Sequence, residues 1–114
     1  ENPLRYSIPM AIIGGAVESP QKITRLCSQI DLIPSVLFEI VLDVSPYKFS
    51  KNLLDSTQIE YAFYAFNDGF ALLMPKDTVV VDAKPNILIK GTNHEINNQA
   101  HALMQCVMEE IDHL

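Results

Sequence analysis

Ser28-Gln29-Ile30-Asp31-Leu32-Ile33-Pro34-Ser35-Val36-Leu37 is the stretch on which the reading of this chain turns. It predicts a strand end running straight into a buried helix over Asp31–Leu42. Asp31 suits the start of that helix, because its carboxylate can accept the free backbone N–H groups of the first turn. Pro34 falls in the first turn, where a missing N–H costs little. Leu32, Ile33, Val36, Leu37, Ile40 and Val41 supply a broad apolar face at helical spacing.

Upstream, Ile8-Pro9-Met10-Ala11-Ile12-Ile13 is almost wholly apolar and reads as a strand covered on both faces, ending at Gly14-Gly15. Pro9 suits a strand start or an edge. Gln21–Cys27 reads as a second short strand. Downstream, Ser45-Pro46 breaks the helical pattern, and Tyr47, Phe49, Leu53 and Leu54 are expected to tuck a long loop onto the core. Ile59–Asn67 is strand-like and rich in Tyr and Phe. Asn67-Asp68-Gly69 signals a turn in which Gly is free to take φ > 0. Phe70–Met74 returns, Pro75-Lys76-Asp77 turns into Thr78–Val81, and Asp82–Pro85 turns toward Ile87–Ile89. Thr92-Asn93-His94-Glu95 has the form of a capping box. It opens a last helix with Ile96, Ala100, Leu103, Val107, Ile111 and Leu114 on one stripe.

The expected fold is therefore α/β, and α+β in isolation. A short parallel-type strand and a buried helix precede a three- to four-stranded antiparallel meander and a C-terminal helix. The 114 residues amount to one domain or part of one, and 48% are apolar, enough to bury a core. A net charge of −6 argues against nucleic acid and against anionic membrane surfaces. No run approaches the length needed to span a bilayer. Glu1-Asn2-Pro3 is neither a signal peptide nor an initiator start, and is expected to lie inside a longer product.

Cys27 and Cys106 are too few for a disulfide framework and read as buried thiols. Cys27 as a nucleophile would need a base or a basic pocket, and only Arg25 is close in sequence. His94 and His101 are two turns apart and His113 is terminal; no carboxylate or thiol is spaced to complete a metal site with them. Asp31 is better explained as a cap than as a ligand or base, and Asp68 as turn chemistry. Glu109, Glu110 and Asp112 crowd the helix end that the macrodipole disfavours, and read as a solvated face. Gly14-Gly15 resembles the opening of a phosphate loop but lacks a third glycine and an immediate helix. Tyr61, Phe63, Tyr64, Phe66 and Phe70 offer a stacking platform on paper, though sheet packing explains them without a ligand. The site assignment is accordingly empty: no catalytic, cofactor-binding or metal residue.

The runs Ile8–Gly15, Ser28–Leu37 and Tyr61–Phe70, in that order, resemble the C-terminal part of a sulfatase-like catalytic domain. The nearest type is that of lipoteichoic acid synthase and phosphoglycerol transferases, in the alkaline phosphatase superfamily. There an apolar Ile-Pro strand leads to a Ser-Gln-Ile-Asp-Ile-x-Pro-Thr-Leu-Leu helix start and then to a small antiparallel sheet. Here Ser35 stands for the usual Thr, and Leu42-Asp43 for the usual Leu-Gly. The family's nucleophile and Asp-His-Gly metal ligands precede the Ile-Pro strand, so no catalytic residue carries over to residues 1–114. The resemblance implies a metal-dependent parent acting on sulfate or phosphate esters at the outer side of a bacterial membrane, using a divalent metal held elsewhere. It implies that this chain is inert alone and that its partner is the rest of that catalytic domain. No nucleic acid and no direct membrane contact are expected. A homodimer through an exposed sheet edge is conceivable. The alternative is a stand-alone binding module using the aromatic sheet or the last helix.

Overall fold

Two turn signals set the sheet. Asn67-Asp68 and Pro75-Lys76 join β1 (Ala62–Phe66), β2 (Gly69–Met74) and β3 (Asp77–Asp82) as consecutive antiparallel strands. β4 (Ile87–Lys90) completes a four-stranded meander in the order β1-β2-β3-β4, with a register shift between Val80 and Val81. The computed structural model describes residues 3–15, 17–82, 84 and 87–113; Ala83 and Pro85, and Leu114 of the predicted helical stripe, lie outside them. The architecture is α+β, an antiparallel sheet with a long C-terminal helix, as the residue pattern predicts.

Period-2 alternation divides the sheet into two faces. Phe63, Phe70, Leu72, Met74, Val79 and Val81 pack beneath the C-terminal helix α2 (His94–Asp112), meeting Ile96, Ala100, Leu103 and Met104. Asn93, rather than Thr92, caps α2: its side chain accepts from the N–H groups of Glu95 and Ile96. The stripe fades along α2, so that Ile111 is 54% exposed. On the other face Ala71 and Val80 are also fully buried, and the ring of Tyr6 stacks on Tyr64 at 4.4 Å.

Gly69 needs its missing side chain for a different reason than the turn signal suggests. Its φ is not positive; instead a Cβ there would lie 2.1 Å from the Val81 carbonyl oxygen. Gly91, by contrast, does adopt a left-handed φ of 107°, where L side chains are strained.

The N-terminal half departs from the sequence reading. Neither Ile8–Ile13 nor Gln21–Cys27 forms a strand. Neither carries regular structure, and Ile8–Ile13 is exposed throughout. A strand exists only where a neighbour accepts its ladder, and no described strand lies beside this run. Residues 26–28 do run alongside residues 60–63 in the same direction. They are bridged by side chains, through Leu26 N–H to Glu60 and Ser28 to Phe63, not by a backbone ladder.

The central helix is shorter than predicted and rotated. A 3-10 turn, Gln29–Asp31, leads into α1 (Leu32–Glu39). Pro34 and Ser35 face inward, while Ile33, Val36 and Ile40 of the expected buried face are 59%, 40% and 54% exposed. Of the loop residues expected to tuck in, only Leu53 is fully buried.

α1 closes with the two hydrogen bonds of a Schellman motif: Leu42 N–H to Leu37 O at 3.0 Å and Val41 N–H to Phe38 O at 3.1 Å. The position that favours glycine in this motif is Val41, at φ 59° and 91% exposed. A β-branched residue there is strained. Val41→Gly is expected to stabilise the chain by about 1 kcal/mol in urea unfolding. A destabilised variant would mean that the valine side chain is itself held by a contact.

Candidate functional site

The polar centre of the chain lies where α1, the loop after it and the edge of the sheet meet. Asp31 and Ser35 are the two buried polar residues among those described, 0% and 1% exposed. The Asp31 carboxylate accepts from the Ser28 N–H, the Lys51 N–H and the Lys51 ammonium, each at 2.7 Å. Ser35 follows one helical turn later. Its hydroxyl donates to the Asp31 carbonyl at 2.6 Å and accepts from the Leu53 N–H at 2.7 Å. These bonds turn Ser35 inward and so set the rotation of α1. The apolar pattern loses because leaving a buried polar group unpaired costs about 1–3 kcal/mol.

Asp31 is therefore not the helix cap its position suggests, for its side chain caps no N–H of α1. The carboxylate instead reaches back to Ser28, with the spacing of a capping box, and across to Lys51. The Lys51 side chain is only 10% exposed, and its ammonium also sits 3.7 Å over the Tyr61 ring. Burial pushes the Tyr61 phenol above its ordinary range, with Asp31 adding to the effect.

Ser28 ties this centre to the sheet. Its hydroxyl accepts from the Phe63 N–H at 2.8 Å and donates to the Phe63 carbonyl at 3.3 Å. In an antiparallel ladder a residue turns both backbone groups to one side. Those of Phe63 thus point away from β2, and Ser28 plugs the free edge of β1.

A groove of about 440 Å³ adjoins the centre, lined by Pro34, Phe38, Tyr47, Lys51, Asp55 and Gln58 among others. Its cation is already consumed by Asp31, and the arrangement offers no activated nucleophile. Arg25 donates to the carbonyls of Asp55 and Gln58 at the far side. The cluster ties together three segments: the start of α1, the loop at Lys51–Leu53 and, through Ser28, the edge of β1.

The other candidates are dispersed. His94 and His113 are exposed, and His101 stands edge-on to Phe70 with centroids 5.2 Å apart. Asp68 pairs with Lys84, Glu110 with Lys48, and Glu109 with Gln105, all at the surface. Among the described residues after Gly14-Gly15, no helical turn begins before Gln29. The aromatic run is split by the sheet: Tyr61, Phe63 and Phe70 pack on the α2 side, while Tyr64 and Phe66 form a group with Tyr6. Among the described residues, no three His, Cys, Asp or Glu side chains gather to hold a metal ion.

The thiols differ from the expectation that both are buried. Cys106 is exposed on α2, and Cys27 is half-buried. Burial pushes the Cys27 thiol up, the Asp31 charge adds to this, and Lys51 and Arg25 oppose it. A raised pKa leaves less thiolate at any given pH. Iodoacetamide is therefore expected to modify Cys106 first. Alkylation of Cys27 should keep climbing above the ordinary thiol range, a pattern readable by peptide mass against pH. Fast Cys27 labelling at neutral pH would contradict the shift.

Ser28 and Ser35 carry a short-range signal, three residues before Asp31 and four after it, that the cap reading of Asp31 left unused. Lys51 was not, because nothing local links it to a carboxylate 20 positions earlier. Comparison with family models, curated proteins and solved structures gives no match.

Proposed function

We propose that this chain is the closing, C-terminal part of a sulfatase-like catalytic domain of the lipoteichoic acid synthase or phosphoglycerol transferase type. In this reading it supplies a sheet, two helices and one wall of the domain, and performs no chemistry alone. The parent acts on sulfate or phosphate esters outside the cytoplasm of a bacterium, with its nucleophile and divalent metal supplied by other residues.

The observation that supports it is an asymmetry of exposed apolar surface. Among the described residues, sixteen of the eighteen exposed large apolar side chains lie within residues 8–59, and two lie on α2. The sheet and α2 bury their own core, whereas α1 and the run before it turn Ile8, Ile13, Ile33, Phe38 and Val41 to solvent. Exposed apolar side chains gathered in one part of a chain, rather than scattered singly along it, suit a surface that a partner covers. Two of the three runs that carry the resemblance, Ile8–Gly15 and Ser28–Leu37, lie in this exposed part of the chain. The stand-alone binding module draws less support, because the aromatic rings it would present are engaged with α2 and Tyr6.

The test is the intact mass of the native gene product, with peptide sequence read upstream of Glu1. A product several times longer that carries Asp-His-Gly and a nucleophile motif is expected. A product beginning near Glu1 overturns the reading. The purified chain is also expected to leave aryl sulfates and aryl phosphodiesters untouched with Mg²⁺, Mn²⁺ or Zn²⁺. Turnover abolished by a chelator would show chemistry that this reading denies.

A further inference from the structure

Packing and hydrogen bonds divide the chain into two bodies. The core cluster and the side chains packed on it all come from residues 61–104, the sheet with α2. Among the described residues, Leu53 is the one fully buried apolar side chain before β1, and it lies outside that cluster. Among the described elements, α1 packs against the 3-10 turn Gln29–Asp31 and against neither the sheet nor α2. Residues 25–58 are nevertheless bonded to one another. Asp31 joins Ser28 to Lys51, Ser35 joins α1 to Leu53, and Arg25 holds the carbonyls of Asp55 and Gln58. The Ser50 hydroxyl adds a bond to the Ile30 carbonyl at 3.1 Å.

A polar seam joins this body to the sheet. The Ser28 hydroxyl engages both backbone groups of Phe63, and the Lys51 ammonium sits over the Tyr61 ring. The Leu26 N–H reaches the Glu60 carboxylate at 3.5 Å, and the Tyr61 hydroxyl reaches the Phe49 carbonyl at 3.4 Å. Lys48 pairs with Glu110 at the surface, at 2.9 Å. Long hydrogen bonds and exposed ion pairs contribute little. Segments with few buried apolar contacts are the ones that open below the global unfolding free energy.

We infer that residues 25–58 form a strap that swings from the sheet as one body about Ile59-Glu60, while the sheet and α2 stay folded. Ile59 is 71% exposed, so its rotation displaces no core side chain. Among the described residues of 7–24, the one hydrogen bond is local, from the Val17 N–H to the Gly14 carbonyl, and it does not tether the strap. Ser28 moves with the strap, so the β1 edge at Phe63 is closed or open with it. The device belongs to residues 1–114 themselves and does not rest on the larger-domain reading.

Native-state amide exchange on residues 1–114, followed through low urea concentrations, tests it. Phe63 lies in β1, but its N–H faces Ser28, whereas that of the next residue, Tyr64, faces β2. The Lys51, Leu53 and Phe63 amides are expected to open with one common urea dependence, ~100-fold more often than those of Tyr64, Leu72 and Val79. Ser28→Ala removes the hydroxyl from the seam and keeps the bond from its own N–H to Asp31. The variant is expected to speed exchange at Lys51 and Leu53, neither of which bonds that hydroxyl, by about 5-fold, the loss of one hydrogen bond. Tyr64, Leu72 and Val79 should be unchanged. Lys51 and Leu53 exchanging at the rate and urea dependence of Leu72 and Val79 would show that the chain opens only as a whole. Faster exchange at Phe63 alone in Ser28→Ala would show that each bond frays by itself. Either result overturns the strap.

Discussion

Asp31→Ala is expected to lower the unfolding free energy by ~3–5 kcal/mol, the loss typical when one partner of a buried ion pair is removed. The residue is fully buried, and its carboxylate accepts the Lys51 ammonium and two backbone N–H groups. Its removal leaves the Lys51 charge in a site where only a tenth of the side chain meets water. It also strands the Ser28 and Lys51 amides. A small domain has about 5–15 kcal/mol in total, so the variant should be near the limit of folding. Urea unfolding would measure the loss. A plain helix cap predicts a smaller one, about 1 kcal/mol, and that result would return Asp31 to the role its position suggests.

A second variant separates the ion pair from the amide anchoring. Asp31→Leu with Lys51→Met removes both charges and replaces them with apolar bulk, a change that is often neutral for a buried pair. The two N–H groups would still lack an acceptor, each at about 1–3 kcal/mol. The double variant is thus expected to recover part of the loss but not all. Full recovery would mean that the amides find other partners.

Gly69→Ala is expected to cost about 3 kcal/mol, the upper range for forcing atoms into a packed site. The new Cβ would meet the Val81 carbonyl oxygen at 2.1 Å and the Phe66 ring at 2.6 Å. The ring can turn aside, but the carbonyl belongs to β3, and β3 must draw away from β2 to make room. Val81 is itself in the core, so the strain reaches the packing beneath α2. Gly14→Ala and Gly15→Ala serve as controls, since a Cβ at either meets nothing within 4 Å. Both are expected to stay within ~0.5 kcal/mol of the parent chain. An equal loss at all three glycines would show that lost backbone freedom, rather than the close approach, sets the cost.

How much of this was legible varies along the chain. The meander and α2 were, because their signals are local. Asn67-Asp68-Gly69 and Pro75-Lys76 bend the chain within a few residues, and alternation in β2 and β3 assigns the faces. Gly69 was recognised as special for the wrong reason, because a close approach by Val81 is invisible in a turn motif. The candidate site was half legible. Asp31 stood out, and Ser28 and Ser35 lie at short-range spacings from it, but the ion-pair partner Lys51 did not stand out at all.

By itself, then, the sequence determined the elements whose partners are neighbours along the chain: the turns at Asn67-Asp68-Gly69 and Pro75-Lys76, the antiparallel sheet, the start of α2 and its inner stripe. Tertiary structure alone decided the rest. The apolar spacing of α1 states that one face is to be buried, but not against what. Ser35 and Asp31 turned that helix by their need for hydrogen bonds, leaving Ile33, Val36 and Ile40 outward. Ile8–Ile13 has the composition of a strand and no ladder, because a strand is a relation between two segments and a sequence names only one of them.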